Sequence, residues 1–199
     1  MRARERVTGG THLVSKRPGL AVVLAAALGL ASLGLHAQST VAPEYNVKAG
    51  FLTTFINYTI WPEERFESPD APIVICVLGS DPFGDVLDRT AALSRTGRSL
   101  RVRRVRTLAD TTPCHLVFIS RAEGRREASW LTFLRRRMIL TVGESGQTIE
   151  RGGIVEFVTV GGSVRFDVGL PAMGQAGIRL SSDMLAHARQ VLRAPVGSR

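Results

Sequence analysis

Two uninterrupted apolar runs, IVICVL at residues 73–78 and LVFI at residues 116–119, constrain this chain more than any other feature. A strand with one face in water alternates apolar and polar residues, because successive side chains point to opposite faces. These runs offer no polar position to solvent, so they predict interior strands covered on both sides. Around them PFGDVLDRTAAL and EGRREASWLTFLRRR read as helices, and MILTVG as a further strand. Strand alternating with helix is the pattern of an α/β domain, here a mixed, mostly parallel sheet with helices on both faces. RSLRVRRV carries Arg101, Arg103, Arg104 and Arg106 among Leu100, Val102 and Val105, which suits an edge strand, where charge discourages unwanted pairing. A phosphate- or lipid-binding stripe is the functional alternative for these arginines. Numbering the four strands in chain order, a doubly wound arrangement predicts the spatial order 2-1-3-4.

The pattern changes after Gly152. GGIVEFVTVGGSVRFDVGL is two alternating runs joined by Gly161 and Gly162, residues free to take the positive φ angles of a two-residue hairpin loop. An antiparallel hairpin is therefore expected, appended to the parallel sheet. With that loop, Val155, Phe157 and Thr159 share a face with Val164, Phe166 and Val168. The opposite face carries Glu156, Val158, Val160, Arg165 and Asp167. Glu156 then lies across from Asp167, an unfavourable pairing unless Arg165, on the diagonal, sits between them. The cluster is either a surface salt network or part of a binding face for a partner.

Upstream, PEYNVKAGFLTTFINYTIWPEERF places Val47, Phe51, Phe55 and Tyr58 on one helical stripe, widened by Leu52 and Ile56. Pro43 and Glu44 suit the first turn, and Trp61 before Pro62 marks the expected end. The stripe packs the helix on the sheet or, read functionally, forms a ligand shelf or partner groove. In GSDPFG, Asp81 is the expected N-cap and Pro82 the first helical residue. At the other end PAMGQAG and SSDMLAHARQVL read as helical segments, the second capped by Ser182, and residues 191–199 as a frayed tail.

The first 37 residues read as a cleavable export signal: a basic start, an apolar run over residues 20–35, and Ala37 at the expected cleavage point. That run is shorter than the ~20 residues a spanning helix needs. Removing the segment takes away five basic residues against Glu5, so the net charge falls by four, from +9 to +5. The domain then covers residues 38–190, outside the cytoplasm, and the remaining charge is a poor argument for nucleic acid.

No catalytic constellation is visible. The first strand–helix loop reads GSDPFG rather than GxGxxG, and there is no P-loop, GxSxG or HExxH. Neither His115 nor His187 has metal-ligand spacing, so no metal or cofactor is implied. Cys114 and His115, as neighbours along a strand, point to opposite faces and do not make a nucleophile–base pair. Cys76 and Cys114 are the chain's two cysteines. In an oxidising compartment they are expected to bridge adjacent strands, the alternative being two buried thiols acting as small apolar residues.

Taken in order, YNVKAGFLTTFINYTIWPE, PIVICVLGSDPFGDVLD, CHLVFIS, RGGIVEFVTVGGSVRFDVGL and IRLSSDMLAHA resemble the YfiR family of small periplasmic proteins over roughly residues 43–190. The resemblance implies a mixed α/β fold, dimerisation and a non-enzymatic role linked to biofilm regulation. Its founding type represses an inner-membrane diguanylate cyclase by contact with the cyclase's periplasmic domain, and an outer-membrane lipoprotein relieves the repression. It also implies disulfide-linked redox sensitivity. Cys76 and Cys114 match one cysteine pair of that type, while a second has no counterpart in SGQTIERGGIVEF. The expected function is thus a periplasmic repressor of a diguanylate cyclase or another membrane sensor, with Glu156, Arg165 and Asp167 as candidate partner contacts. The alternative is a small-molecule binding domain without cyclase control, and a third reading is a thiol enzyme.

Overall fold

The computed structural model describes residues 42–193. The expected export signal and residues 194–199 lie outside them. Helix α1 (Pro43–Asn57) is followed by a short strand β1 (Thr59–Ile60), then β2 (Ile73–Leu78), α2 (Val86–Leu93), β3 (Leu100–Val105), β4 (Leu116–Ile119), α3 (Gly124–Leu134) and β5 (Leu140–Gly143). The hairpin β6 (Val155–Val160) and β7 (Ser163–Gly169) comes next, then α4 (Leu170–Ala176), β8 (Arg179–Leu180), α5 (Ser182–His187) and β9 (Gln190–Leu192).

Seven strands form one sheet in the order β3-β2-β4-β5-β6-β7-β9. The predicted 2-1-3-4 is the observed β3-β2-β4-β5, all parallel, with β2 and β4 interior and the arginine-rich β3 at the edge. The hairpin has the predicted register, Glu156 opposite Asp167 and Val160 opposite Ser163, and Gly161 and Gly162 both take positive φ. A separate two-stranded sheet pairs β1 with β8.

Two cores flank the sheet. On one face Ala49, Leu52, Phe55 and Ile56 of α1, Leu87 of α2 and Met184 of α5 pack over Ile75, Val77, Phe118, Val142 and the apolar face of the hairpin. Phe55 stacks on Phe157 and meets Phe166 edge-on at 4.9 Å, a geometry aromatic pairs favour. On the other face Trp130, Leu131 and Leu134 of α3 cover Val74, Cys76, Leu78, Val117 and Ile119.

Several local expectations are corrected. Helix α1 ends at Asn57, before Trp61, because Thr59 and Ile60 leave it to pair with Leu180 and Arg179. Its inward face is Lys48, Ala49, Leu52, Thr53, Phe55 and Ile56, so Leu52, Phe55 and Ile56 of the expected stripe are buried, whereas its ends are not: Val47 is 49% and Tyr58 36% exposed. Asp81 is not an N-cap; its Oδ1 accepts from the Phe83 N–H at 2.7 Å, and α2 starts only at Val86, after Gly84 takes φ +54°. The cap of α5 is Ser181, one residue before Ser182, its hydroxyl accepting from Met184 N–H. That helix stops at His187, and the following residues form a seventh strand, β9, parallel to β7. Val191 and Leu192 are therefore part of the sheet rather than of a tail.

Candidate functional site

The sulfur pair lies in the core on the α3 face of the sheet. Cys76 lies in the middle of β2, opposite Val117 of β4. Continuing that register back would set Cys114 beside Ile73, too far along for a bridge. Instead β4 begins only at Leu116, and the Cys114 N–H donates to the Thr111 carbonyl at 2.9 Å, which turns the chain across the face of β2. Cys76 and Cys114 are bridged, with Cα atoms 5.8 Å apart, inside the range disulfides require. Both are fully buried against Val74, Leu78, Val117, Trp130 and Leu131. With both sulfurs in the bridge, a thiol enzyme has no nucleophile among these residues.

His115 follows the bridge directly. It is 5% exposed, its Nδ1 accepts from the Val74 N–H at 3.1 Å, and its ring stacks on Phe66 with centroids 4.8 Å apart. Burial and the nearby Arg65 charge push its pKa down to about 4, the Arg65 carbonyl offsetting only part of this. The folded state therefore holds the neutral ring, while the unfolded chain takes up a proton near pH 6.5. Stability from this group is present above about pH 6.5 and is lost as pH falls toward 4. Urea titrations at pH 7.0 and 4.5 are expected to show the native protein losing about 2 kcal/mol more than His115→Asn does over that interval. Equal losses in the two proteins would show that His115 is not the group responsible.

The hairpin residues separate into two kinds. Glu156 and Asp167 are 6% and 5% exposed, whereas Arg165 is exposed. Glu156 accepts the N–H groups of Thr148 at 3.0 Å and Ile149 at 3.5 Å. Burial raises its pKa, opposed by those N–H bonds and reinforced by the charge of Glu127. Asp167 takes a two-pronged contact from Arg189, with Nε at 2.8 Å from Oδ1. The expectation that Arg165 lies between the two carboxylates is thus corrected. Arg165 pairs across from Val158, one step nearer the tip, while β9 brings Arg189 beside Asp167. Among the described residues Arg165 makes no ion pair.

At the carboxyl ends of the parallel strands, where ligands of such sheets usually bind, the protein has placed its own buried ions. Glu144, just past β5, receives Lys48 Nζ from α1, the Tyr45 hydroxyl at 3.0 Å and the Arg121 N–H at 3.0 Å. Burial and the Glu144 charge push the Tyr45 hydroxyl pKa far up, so it stays protonated and keeps donating. Glu123, past β4, accepts from Ser80 N–H at 2.9 Å and Ser80 Oγ at 2.8 Å and pairs with Arg126. Burial works against its ionisation, but these donors prevail and hold its pKa below the usual value. Glu127 on α3 accepts from Thr148 Oγ1 at 2.6 Å and pairs with Arg151 at 2.7 Å. A Cβ at Gly143 would lie 2.3 Å from Thr148 Oγ1, so this layer leaves no room for a side chain there. None of these carboxylates stood out in the sequence. Lys48 sits in an ordinary helix between Val47 and Ala49, and its partner is 96 residues away.

An apolar cleft of about 190 Å³ opens between α1, β7 and α5, lined by Phe51, Phe55, Tyr58, Phe166, Met184 and His187. Among the described residues no group of three or more His, Cys, Asp or Glu side chains is arranged to hold a metal ion, and no helix is long and apolar enough to cross a membrane.

The family model described as YfiR/HmsC-like matches residues 45–189. Among solved structures, the chain is similar to a conserved domain protein from Vibrio cholerae O1 biovar El Tor strain N16961, with 12% identity and a TM-score of 0.51 over 74% of this chain and 60% of that one. It is likewise similar to the ABC domain from Streptococcus pneumoniae crystallised with L-Trp, with 10% identity and a TM-score of 0.51 over 72% of this chain and 60% of that one. At such identities the likeness concerns the fold alone, and the chain spans about three-fifths of each of these structures.

Proposed function

This chain belongs to the YfiR/HmsC-like family, and from that premise we propose that it is a periplasmic regulator that binds the periplasmic domain of an inner-membrane diguanylate cyclase, holds the enzyme inactive and so lowers cyclic di-GMP. The observation that carries this reading is the family match, which spans nearly all of the described domain. The buried Cys76–Cys114 bridge suits an oxidising compartment. In this reading the domain works by contact rather than by chemistry, as a homodimer, and an outer-membrane lipoprotein competes for it.

The hairpin supplies a contact surface with the right build. Its base is pinned by the Asp167–Arg189 pair and by Glu156 on the Thr148 and Ile149 N–H groups. Its tip projects Val158, Val160 and Arg165 on one face, with Val160 50% exposed. Rigid presentation of a few apolar and arginine side chains is what interface hot spots require. Glu156 and Asp167 act in this reading by positioning, and Arg165 touches the partner.

Immobilised cyclase periplasmic domain is expected to retain the native protein. Val160→Asp with Arg165→Glu should weaken retention at least tenfold, with an unchanged melting temperature. Deleting the gene should raise cyclic di-GMP. No retention, together with unchanged cyclic di-GMP on deletion, would overturn the proposal. The apolar cleft beside α1 favours the second reading, a domain that takes a small apolar or aromatic molecule. A ligand co-purifying with the native protein but not with a Phe51→Glu variant would support it.

A further inference from the structure

The edge strand β3 presents arginines on both faces, and the fold treats the two faces differently. On one, Arg104 is neutralised, with Nε 2.9 Å from Asp81 and Nη2 2.6 Å from Asp88. On the other, Arg101 and Arg103 are exposed, and among the described residues they make no ion pair. They stand beside Val74 and Cys76 of β2, and with Arg65 they line a cleft of about 270 Å³ whose walls include Val74, Pro113 and His115. Arg65 is half-buried, and among the described residues it too pairs with no carboxylate. Among the described residues its Nη2 donates only to the carbonyls of Thr112 at 3.1 Å and Cys114 at 2.6 Å, and its buried Nε finds no partner.

A guanidinium withdrawn from water without a counter-ion is unfavourable. Desolvation indeed lowers the Arg65 pKa with no opposing charge. Together with the exposed Arg101 and Arg103, Arg65 sets three cations around one concave, partly apolar floor, an electrostatic trap for negative charge. Arginine forks match the oxygens of phosphate and carboxylate groups. One acid, Glu67, lies on the lining. It is exposed, so solvent screens it.

We propose that this cleft binds an oxyanion group, a phosphate or carboxylate on a small body, held by Arg65, Arg101 and Arg103 over Val74. The cleft is slightly below the volumes usual for drug-sized ligands, about 300–1,000 Å³, so it takes a small molecule or a headgroup. It lies on the face of α3 and the disulfide, across the sheet from the apolar cleft beside α1, and the proposal does not depend on the regulatory reading.

Calorimetric titration of the purified protein with inorganic phosphate at low ionic strength is expected to show saturable binding to one site per chain. Co-sedimentation with vesicles of phosphatidylglycerol and phosphatidylcholine, against phosphatidylcholine alone, forms the second arm. Arg101→Glu with Arg103→Glu changes two exposed side chains and should leave the far-UV spectrum and melting temperature intact. It should weaken binding at least tenfold in whichever arm binds. Phosphate binding identifies a soluble anion as the source; binding to the anionic vesicles alone identifies a lipid headgroup. No binding in either arm, or binding unchanged in the double variant, would overturn the assignment.

Discussion

Replacing the bridged pair, Cys76→Ala with Cys114→Ala, is expected to lower the free energy of unfolding by about 4 kcal/mol. The two cysteines are 38 positions apart in sequence. A cross-link closing a loop of that size removes about 13 cal/mol/K of chain entropy from the unfolded state, about 4 kcal/mol at 25 °C. The melting temperature should fall by roughly 8–16 °C for a domain of this size. The bridge also determines packing, since it holds the Thr111–Cys114 turn down on the face of β2 and so sets where Arg65 finds the Cys114 carbonyl. Denaturation with and without a dithiol reductant separates the cross-link from the lost side-chain volume. Reductant should destabilise the native protein and leave the double variant unmoved. A loss under about 1 kcal/mol would mean that the unfolded chain gains little freedom from release of the bridge.

How much of this was legible in the sequence depended on how local its cause was. The interior strands announced themselves because a strand apolar on both faces has no other stable place. The hairpin register followed from two glycines, since a two-residue loop leaves one pairing. The errors lie where a distant partner decides. In SSDMLAHARQVL the apolar positions Met184, Leu185, Ala188 and Leu192 keep helical spacing to the end. Yet the Arg189 N–H donates to the Phe166 carbonyl at 2.8 Å and its guanidinium clasps Asp167, which draws the chain out into β9. The same contact explains why Arg165, the diagonal neighbour in the register, is not the partner of Asp167. For α1, periodicity picked out Leu52, Phe55 and Ile56, which are inward, but also Val47 and Tyr58, which are exposed, and it left out Lys48. The structure adds Lys48 to that face, where the Glu144 carboxylate, 96 residues away, accepts from its ammonium. Nothing within a few residues of Lys48 signals that.

Lys48 is therefore a position where a single change should do large damage without opening a cavity. Its side chain is 2% exposed and that of Glu144 fully buried. Lys48→Met fits the apolar stem into the same space but leaves the Glu144 carboxylate with only the Tyr45 hydroxyl and the Arg121 N–H as donors. Removing one member of a buried pair strands the other charge, and such losses run at about 3–5 kcal/mol. The ion pair as a whole contributes much less than that, because both ions gave up their hydration to form it. Adding Glu144→Gln should accordingly restore most of the loss, since the amide oxygen still accepts from Tyr45 and Arg121 while the stranded charge is gone. Urea unfolding of the native protein, the two single variants and the double variant closes a thermodynamic cycle. The expected coupling is at least about 2 kcal/mol, with Lys48→Met the least stable of the four. If Lys48→Met came within about 1 kcal/mol of the native protein, Glu144 would have to find another partner for its charge. The layer of buried carboxylates at the strand ends would then be a tolerant surface rather than the rigid seat on which α1 is held.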